Sequence, residues 1–280
     1  MNRTAFYAAL RGGAMFPKGL NASQVDGVEN LLDVWARYFA DDALQFLAYD
    51  LATAFHETAA TMQPIKERGA VAYFSKYEPG TKLGKMLGNT VAGDGYRFRG
   101  EGHVQNTGRR NARHASDQIN KRFDLKIDLV ANPEQRGDPF VSAISLFLGN
   151  REGWWTGRDL DDFIDGIDEA TDEDLREYIA ARRVVNGTDK AAKIAGHAIE
   201  FGKALKVAGY APAAGAPVSS AKERVKWLQS RLTAHGFPCG PIDGYRGSLT
   251  DKAVLAFETA RGIKIDIVDS ATAAALDVAA

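Results

Sequence analysis

Ten small, uncharged, proline-containing residues, Ala211-Pro212-Ala213-Ala214-Gly215-Ala216-Pro217-Val218-Ser219-Ser220, argue against one continuous core. They read as a linker between residues 1–210 and residues 221–280. The first part is long enough for its own core, and the second, at about 60 residues, is marginal but feasible. The chain is 45% hydrophobic and 25% charged, as is ordinary for a soluble globular protein. Its net charge of −1 gives no global argument for nucleic acid or an anionic membrane as partner. Cys239 stands alone, which excludes an intrachain disulfide and a cysteine-rich metal site and fits a reducing compartment. At the N-terminus the short apolar stretch Ala5–Leu10 is broken at Arg11-Gly12-Gly13, so it is not read as a secretion signal. No apolar run is long enough to span a bilayer. A substrate outside the cytoplasm would require another agent to let the protein out.

The periodicity of residues 1–210 predicts a mainly α part. Gln24 to Phe39 carries Val25, Val28, Leu31, Leu32, Trp35 and Phe39 at helical spacing. Ala43 to Thr61 carries Leu44, Leu47, Ala48, Leu51 and Phe55 on one stripe, with Glu57 about 120° from its centre. Gln63, before Pro64, is the expected boundary of that helix. Val141–Leu148 and Ala191–Val207 read as further helices, whereas Ala70–Phe74 and Gly95–Val104 suit a short hairpin or irregular loops. Residues 221–280 hold three short apolar segments, around Val225–Leu232, Ala253–Phe257 and Ala271–Leu276. Three small helices are expected, the first ended near Gly236 and the second capped by Thr250. That part lacks an acid–base cluster, so binding suits it better than catalysis.

Chemistry concentrates in a few places. Glu57, in Phe55-His56-Glu57-Thr58, is followed ten residues later by Glu67 beyond Pro64. Two acids on different elements beside one cleft can hydrolyse a glycosidic bond, one giving a proton and the other activating water. Glu78 is a rival for the second role, and spacing alone does not reject it. The window Gly93–Arg109 holds five glycines, which permit tight turns and close approach of a ligand. Within it Tyr96 and Phe98 can stack on sugars, and Gln105, Asn106 and Thr107 can bond hydroxyls or an attacking water. The same pattern also suits a glycine-rich surface loop. A zinc-protease helix would need a second histidine where Ala60 stands, and His103 and His114 have no obvious third ligand, so no metal is expected. Arg182-Arg183-Val184-Val185-Asn186-Gly187 reads either as a helix end with a turn or as an arginine and an asparagine lining a sugar cleft.

Together these residues resemble glycoside hydrolase family 19, the chitinase-like group with a lysozyme-type fold that includes phage endolysins. The resemblance runs from about Phe16 to Leu205. It rests on Met15-Phe16, Gln24-Val25-Asp26-Gly27, His56-Glu57-Thr58, Glu67, Gly95 to Asn111 and Arg183-Val184-Val185-Asn186-Gly187. It implies Glu57 as general acid and Glu67, rather than Glu78, as the second acid. It also implies Gln105 and Thr107 as residues that position water and sugar, with His56, Tyr96, Asn106, Arg183 and Asn186 along the substrate. The chain departs from the family pattern at Glu101, His103, Asn106 and Ala112. Glu101 puts an anion where a cation is usual, which would tend to raise a neighbouring carboxyl pKa. The segment Ala221–Leu276 is similar to the three-helix peptidoglycan-binding domain, through Val225, Trp227-Leu228-Gln229, Gly240-Pro241-Ile242-Asp243-Gly244, Gly247, Thr250, Ala253-Val254 and Phe257. Asp243, Gly244 and Tyr245 are candidates for its glycan surface.

The expected protein is a monomeric endolysin, without cofactor, that inverts β-1,4 bonds of peptidoglycan glycan strands. Inversion needs carboxyls about 6.5–9.5 Å apart. Synthesis in the cytoplasm of a bacterial host is expected, followed by release to the wall by a separate membrane-permeabilising protein. Nucleic acid is not an expected partner, nor is stable membrane insertion. The alternatives are a chitinase acting on β-1,4-linked N-acetylglucosamine and a non-catalytic wall-binding protein.

Overall fold

A computed structural model describes residues 1–123, 125–167, 171–212, 221–242 and 248–261. The chain is mainly helical, as its periodicity predicts. Three helices frame the large core: α1 (Arg3–Leu10), α2 (Ala22–Tyr38) and α3 (Leu44–Glu57). They are joined by α6 (Arg109–Phe123), α7 (Pro139–Arg151), α8 (Thr171–Ala181) and α9 (Ala191–Val207). Short helices α4 (Lys82–Met86) and α5 (Asp94–Arg97) lie between α3 and α6.

The helix α3 is not the one-sided amphipathic helix its stripe suggested. Every residue from Gln45 to Phe55 is buried, as suits a helix with apolar side chains nearly all round. Its main neighbour is α9. Gly202 of α9 faces Ala48 and Leu44 across this contact. On the other side α7 is buried from Val141 to Asn150. Asn150 Nδ2 donates to Asp50 Oδ1 at 2.6 Å, tying α7 to α3. Trp35 of α2 packs edge-on against Phe147 at 5.0 Å between centroids and donates its indole N–H to the Tyr210 hydroxyl at 2.8 Å.

The helix α3 ends at Glu57, well before Thr61 or Gln63, and Pro64 has no part in stopping it. Ala60 N–H donates to Phe55 O at 2.7 Å and Ala59 N–H to His56 O at 3.2 Å, the paired bonds of a Schellman end. Ala59, Ala60 and Met62 all take left-handed backbone, at φ 50°, 67° and 59°. Each such residue costs an alanine or methionine about 1 kcal/mol relative to glycine. Several contacts offset this. The Thr58 hydroxyl donates to Ala54 O at 2.7 Å and accepts from Met62 N–H at 3.0 Å. Gln24 Nε2 donates to Ala60 O at 2.8 Å. Gly27 of α2 has no Cβ where the Met62 carbonyl lies against it.

The chain then forms β1 (Ile65–Lys66), antiparallel to β2 (Glu101–Gly102), with Ile65 opposite Gly102. Of the two alternatives for residues 70–74 and 95–104, the hairpin between them is not formed. Val71–Tyr77 is a 3₁₀ helix, and the partner of β2 lies immediately before Glu67. A two-residue ladder is too short to leave a period in the sequence.

A second, separate core joins α10 (Ala221–Ala234) to α11 (Ser248–Arg261) through Leu228, Leu232, Cys239, Ala253, Val254 and Phe257. Gly236 follows α10 with φ 84°, as its predicted role requires. Thr250 is not a cap: α11 starts at Ser248, and the buried Thr250 hydroxyl accepts from Gln229 Nε2 at 3.2 Å. The expected third helix at 271–276, the glycan-surface candidates Asp243, Gly244 and Tyr245, and most of the expected linker lie outside the described residues.

Candidate active site

The Schellman end fixes where Glu57 points. Its carboxylate Oε1 accepts from Arg182 Nη1 at 2.8 Å, with the glutamate side chain 19% exposed and the arginine 3%. Arg182 also donates from Nε to Asp189 O at 3.1 Å, so the guanidinium is held from both ends. Glu57 therefore meets a buried cation. Oε2 is the atom left for other work. His56 beside it is partly buried, and burial, reinforced by Arg182 and Lys193, pulls its ring below the ordinary value despite the nearby Glu57. Its imidazole is neutral at neutral pH.

Glu67 is positioned by the strand ladder. Its N–H donates to Gly100 O at 2.7 Å, and its Oε2 accepts from Gly100 N–H at 3.2 Å. Arg99 Nε donates to Glu67 O at 3.2 Å. Gln105 lies opposite in left-handed backbone, φ 53°. Its Nε2 donates to Ile65 O at 3.0 Å and to Gly102 O at 3.1 Å. Both amide protons are thus used, the amide orientation is set, and Oε1 is the free end. Thr107 donates its hydroxyl proton to Gln105 O at 2.8 Å, leaving lone pairs to accept. These groups converge on Gly100. A Cβ placed there would lie 2.7 Å from Gln105 Oε1, 3.2 Å from Thr107 Oγ1 and 3.3 Å from Glu67 Oε2. The three oxygens are thus close-packed around one glycine, and those of Gln105 and Thr107 keep lone pairs for a donor such as water.

Two of the four departures named from the sequence, Glu101 and His103, lie beneath this site. Glu101 is buried, but it pairs with Lys66 Nζ at 2.9 Å and Arg136 Nη2 at 3.3 Å. Arg136 is itself buried and donates to the carbonyls of Pro133, Arg99, Asn106 and Arg97. The anion is thus flanked by two cations and is not the uncompensated charge that would raise a neighbour's pKa. His103 is fully buried, with its pKa pulled down to about 4, chiefly by burial. Ser142 Oγ lies 2.7 Å from Nδ1, and Met62 O lies 3.2 Å from Nε2. The ring is therefore neutral, with its proton on Nε2, and it pins the left-handed segment to α7.

This burial carries a pH dependence. The unfolded ring titrates near 6.5 and the folded one near 4. Between these values the unfolded chain binds the proton and the folded chain does not, so acid favours unfolding. Stability should be full above about pH 6.5 and fall towards pH 4, with a slope approaching about 1.4 kcal/mol per pH unit from this one group. Urea unfolding at stepped pH checks this, and the slope should be shallower in His103→Gln.

Other predicted site residues are spread more widely. Tyr96 is exposed, with the Arg99 guanidinium 3.9 Å over its ring. Asn106 is 3% exposed, and its amide has no partner among the described residues. It is withdrawn from any surface ligand, unlike Gln105 and Thr107 on either side. Arg183 is exposed and donates to Ala180 O at 3.3 Å. The arginine that reaches Glu57 is its neighbour Arg182, on the short 3₁₀ turn Arg182–Val184. Asn186 is exposed and accepts from Gly187 N–H at 3.0 Å, while its own N–H donates to Arg182 O. Its observed contacts shape the turn. Glu78 accepts from Gly93 N–H at 2.8 Å and Gly95 N–H at 2.9 Å, so both its oxygens hold the start of α5. Sequence reasoning missed Arg182 and Gly100. A pair of adjacent arginines signals one contact without saying which residue makes it, and five glycines in one window do not say which of them is closely packed.

No curated protein sequence matches the chain. Among solved structures, a crystal structure of a chitinase C mutant is similar, with a TM-score of 0.40 and 18% identity over 77% of this chain and 78% of that one. Residues 221–276 match the family described as "Putative peptidoglycan binding domain", so the C-terminal segment is similar to a peptidoglycan-binding module.

Proposed function

We propose that the chain is an endolysin, an inverting glycosidase that cuts β-1,4 bonds of peptidoglycan glycan strands. The observation that carries this reading is the convergence of Glu67 Oε2, Gln105 Oε1 and Thr107 Oγ1 around Gly100. A water held by these oxygens donates a hydrogen bond to Gln105 Oε1 and loses its other proton to Glu67 as its oxygen attacks the anomeric carbon. Glu57 protonates the leaving oxygen through Oε2, while Arg182 holds Oε1 and so fixes the direction of transfer. Attack opposite the leaving group inverts the anomeric centre. Residues 1–210 do the chemistry. Residues 221–280, joined by a linker at 211–220, tether it and raise its local concentration on the wall. The match of residues 221–276 supports the wall as target. Synthesis in a bacterial host cytoplasm and release by a separate membrane-permeabilising protein complete the reading.

Digestion of purified sacculi followed by mass analysis tests it. Expected products are glycan fragments with new reducing ends and intact stem peptides. Free stem peptides would mean an amidase, and no products would mean an inert binder. Removing residues 215–280 should weaken binding to sacculi while sparing cleavage of soluble glycan fragments. Loss of both would sink the division of labour.

A further inference from the structure

The charge of this chain is unevenly placed. Residues 63–113 hold ten lysines and arginines against four acids, a surplus of six, although the whole chain carries −1. The acids are already engaged. Glu101 pairs with Lys66 and Arg136, Asp94 binds Arg109 through both oxygens, and Glu78 holds two backbone N–H groups. The fourth is Glu67. Arg68, Lys82, Lys85 and Arg110 are exposed.

A row of rings crosses this basic region. Tyr73 meets Phe74 at 5.1 Å and Phe74 meets Tyr96 at 5.6 Å between centroids, both edge-on. Phe74 is buried, but Tyr73 is 54% and Tyr96 37% exposed. Each outer ring has a cation over one face: Lys76 Nζ at 3.8 Å from the Tyr73 centroid and Arg99 Cζ at 3.9 Å from that of Tyr96. The row begins at Glu67 itself. Arg99 bonds the Glu67 carbonyl, and Gly69 packs so closely that an added Cβ would lie 3.0 Å from Tyr73 and 3.1 Å from Phe74.

We propose that Tyr73, Tyr96, Arg68, Lys76 and Arg99 form a subsite that selects glycan strands bearing carboxylates. This rests on the glycosidase reading and goes beyond it by naming what distinguishes the preferred strand. The exposed rings lie against the C–H faces of sugars. The cations beside them meet carboxylates that branch from those sugars, such as stem-peptide carboxylates. A neutral polymer would use the rings alone and would partly desolvate the cations for no return. A strand whose scissile bond sits at Glu67 must pass this face, because the row starts at that residue's backbone.

The test uses the full chain and soluble peptidoglycan fragments, native or with their carboxylates converted to amides. The wild type should prefer native fragments by about tenfold in KM and in equilibrium binding. That preference should shrink at about 0.5 M salt, where charges are screened within a few Å. In R68Q/K76Q the ratio should fall towards one. Equal handling of both fragments by the wild type, or an unchanged ratio in the variant, overturns the proposal. So does a variant that loses binding only to vesicles of anionic phospholipid. If the wild type cleaves neither fragment, the glycosidase reading fails, and the difference in binding between wild type and variant still decides the subsite.

Discussion

Glu57→Gln is expected to fold normally, to bind sacculi as the wild type does, and to release glycan fragments about 10³-fold more slowly. The substitution is nearly isosteric and falls at the last residue of α3. The hydrogen bonds of the helix end come from backbone atoms and from Thr58, so they do not depend on the Glu57 carboxyl. The amide oxygen can still accept from Arg182 Nη1. What disappears is a proton that can be given to a leaving oxygen. The contact with Arg182 makes the result diagnostic, because a Glu57 that served only as a structural partner for that buried guanidinium would tolerate glutamine with little change in rate. Reducing-end release and the thermal midpoint, measured on the same preparation, separate the cases. A variant that retains most of the parental rate at an unchanged midpoint removes Glu57 from the chemistry.

What the sequence revealed and what it hid divide along physical lines. The helices α2, α7 and α9 were legible because runs of large apolar residues mark them, as in Val28, Leu31, Leu32 and Trp35. The helix α6 was not. It buries only Ala112, Ala115, Ser116 and Ile119 among polar and basic residues, and small side chains make a weak stripe. The end of α3 was placed late because alanines, not a glycine, take the left-handed positions that stop it. The pair Glu57 and Glu67, and the Gln105–Thr107 motif, could be named from residue type and order. The placement of Glu67 against Gln105 and Thr107 could not, since it depends on β1 pairing with β2 across 34 residues of intervening chain. The same limit explains Arg182. Adjacent arginines on a 3₁₀ turn point in different directions, and only the fold decides that Arg182 turns inward to Glu57 while Arg183 stays outside.

Glu101 and His103 show how a local departure can be compensated below the surface. Read in sequence, each threatens the charge balance of the site. In the fold, Lys66 and Arg136 flank the first, and Ser142 and Met62 satisfy the second. Neither side chain takes part in the convergence on Gly100, so both act as supports for the loop that carries Gln105 and Thr107.

Gly100→Ala tests that convergence without touching any polar group. Gly100 does not have positive φ, so alanine meets no backbone penalty there. The added methyl would, however, lie 2.7 Å from Gln105 Oε1 and within 3.3 Å of Thr107 Oγ1 and Glu67 Oε2. Glutamine ends are normally free to swing away. This one is not, because relieving the contact means giving up the bonds to Ile65 O and Gly102 O that hold it. The methyl should therefore push the acceptors outward. A displacement of about 1 Å at a reacting centre costs about 10²-fold in rate. The expected result is a fall in kcat of at least about 10²-fold, with loss of those two bonds showing separately as a lower thermal midpoint. Gly196→Ala, on α9 with nothing within 4 Å of the new methyl, is the matched control and should keep its rate. Wild-type kcat in Gly100→Ala would mean that the attacking water is held elsewhere, and the roles given to Glu67, Gln105 and Thr107 would have to be withdrawn together.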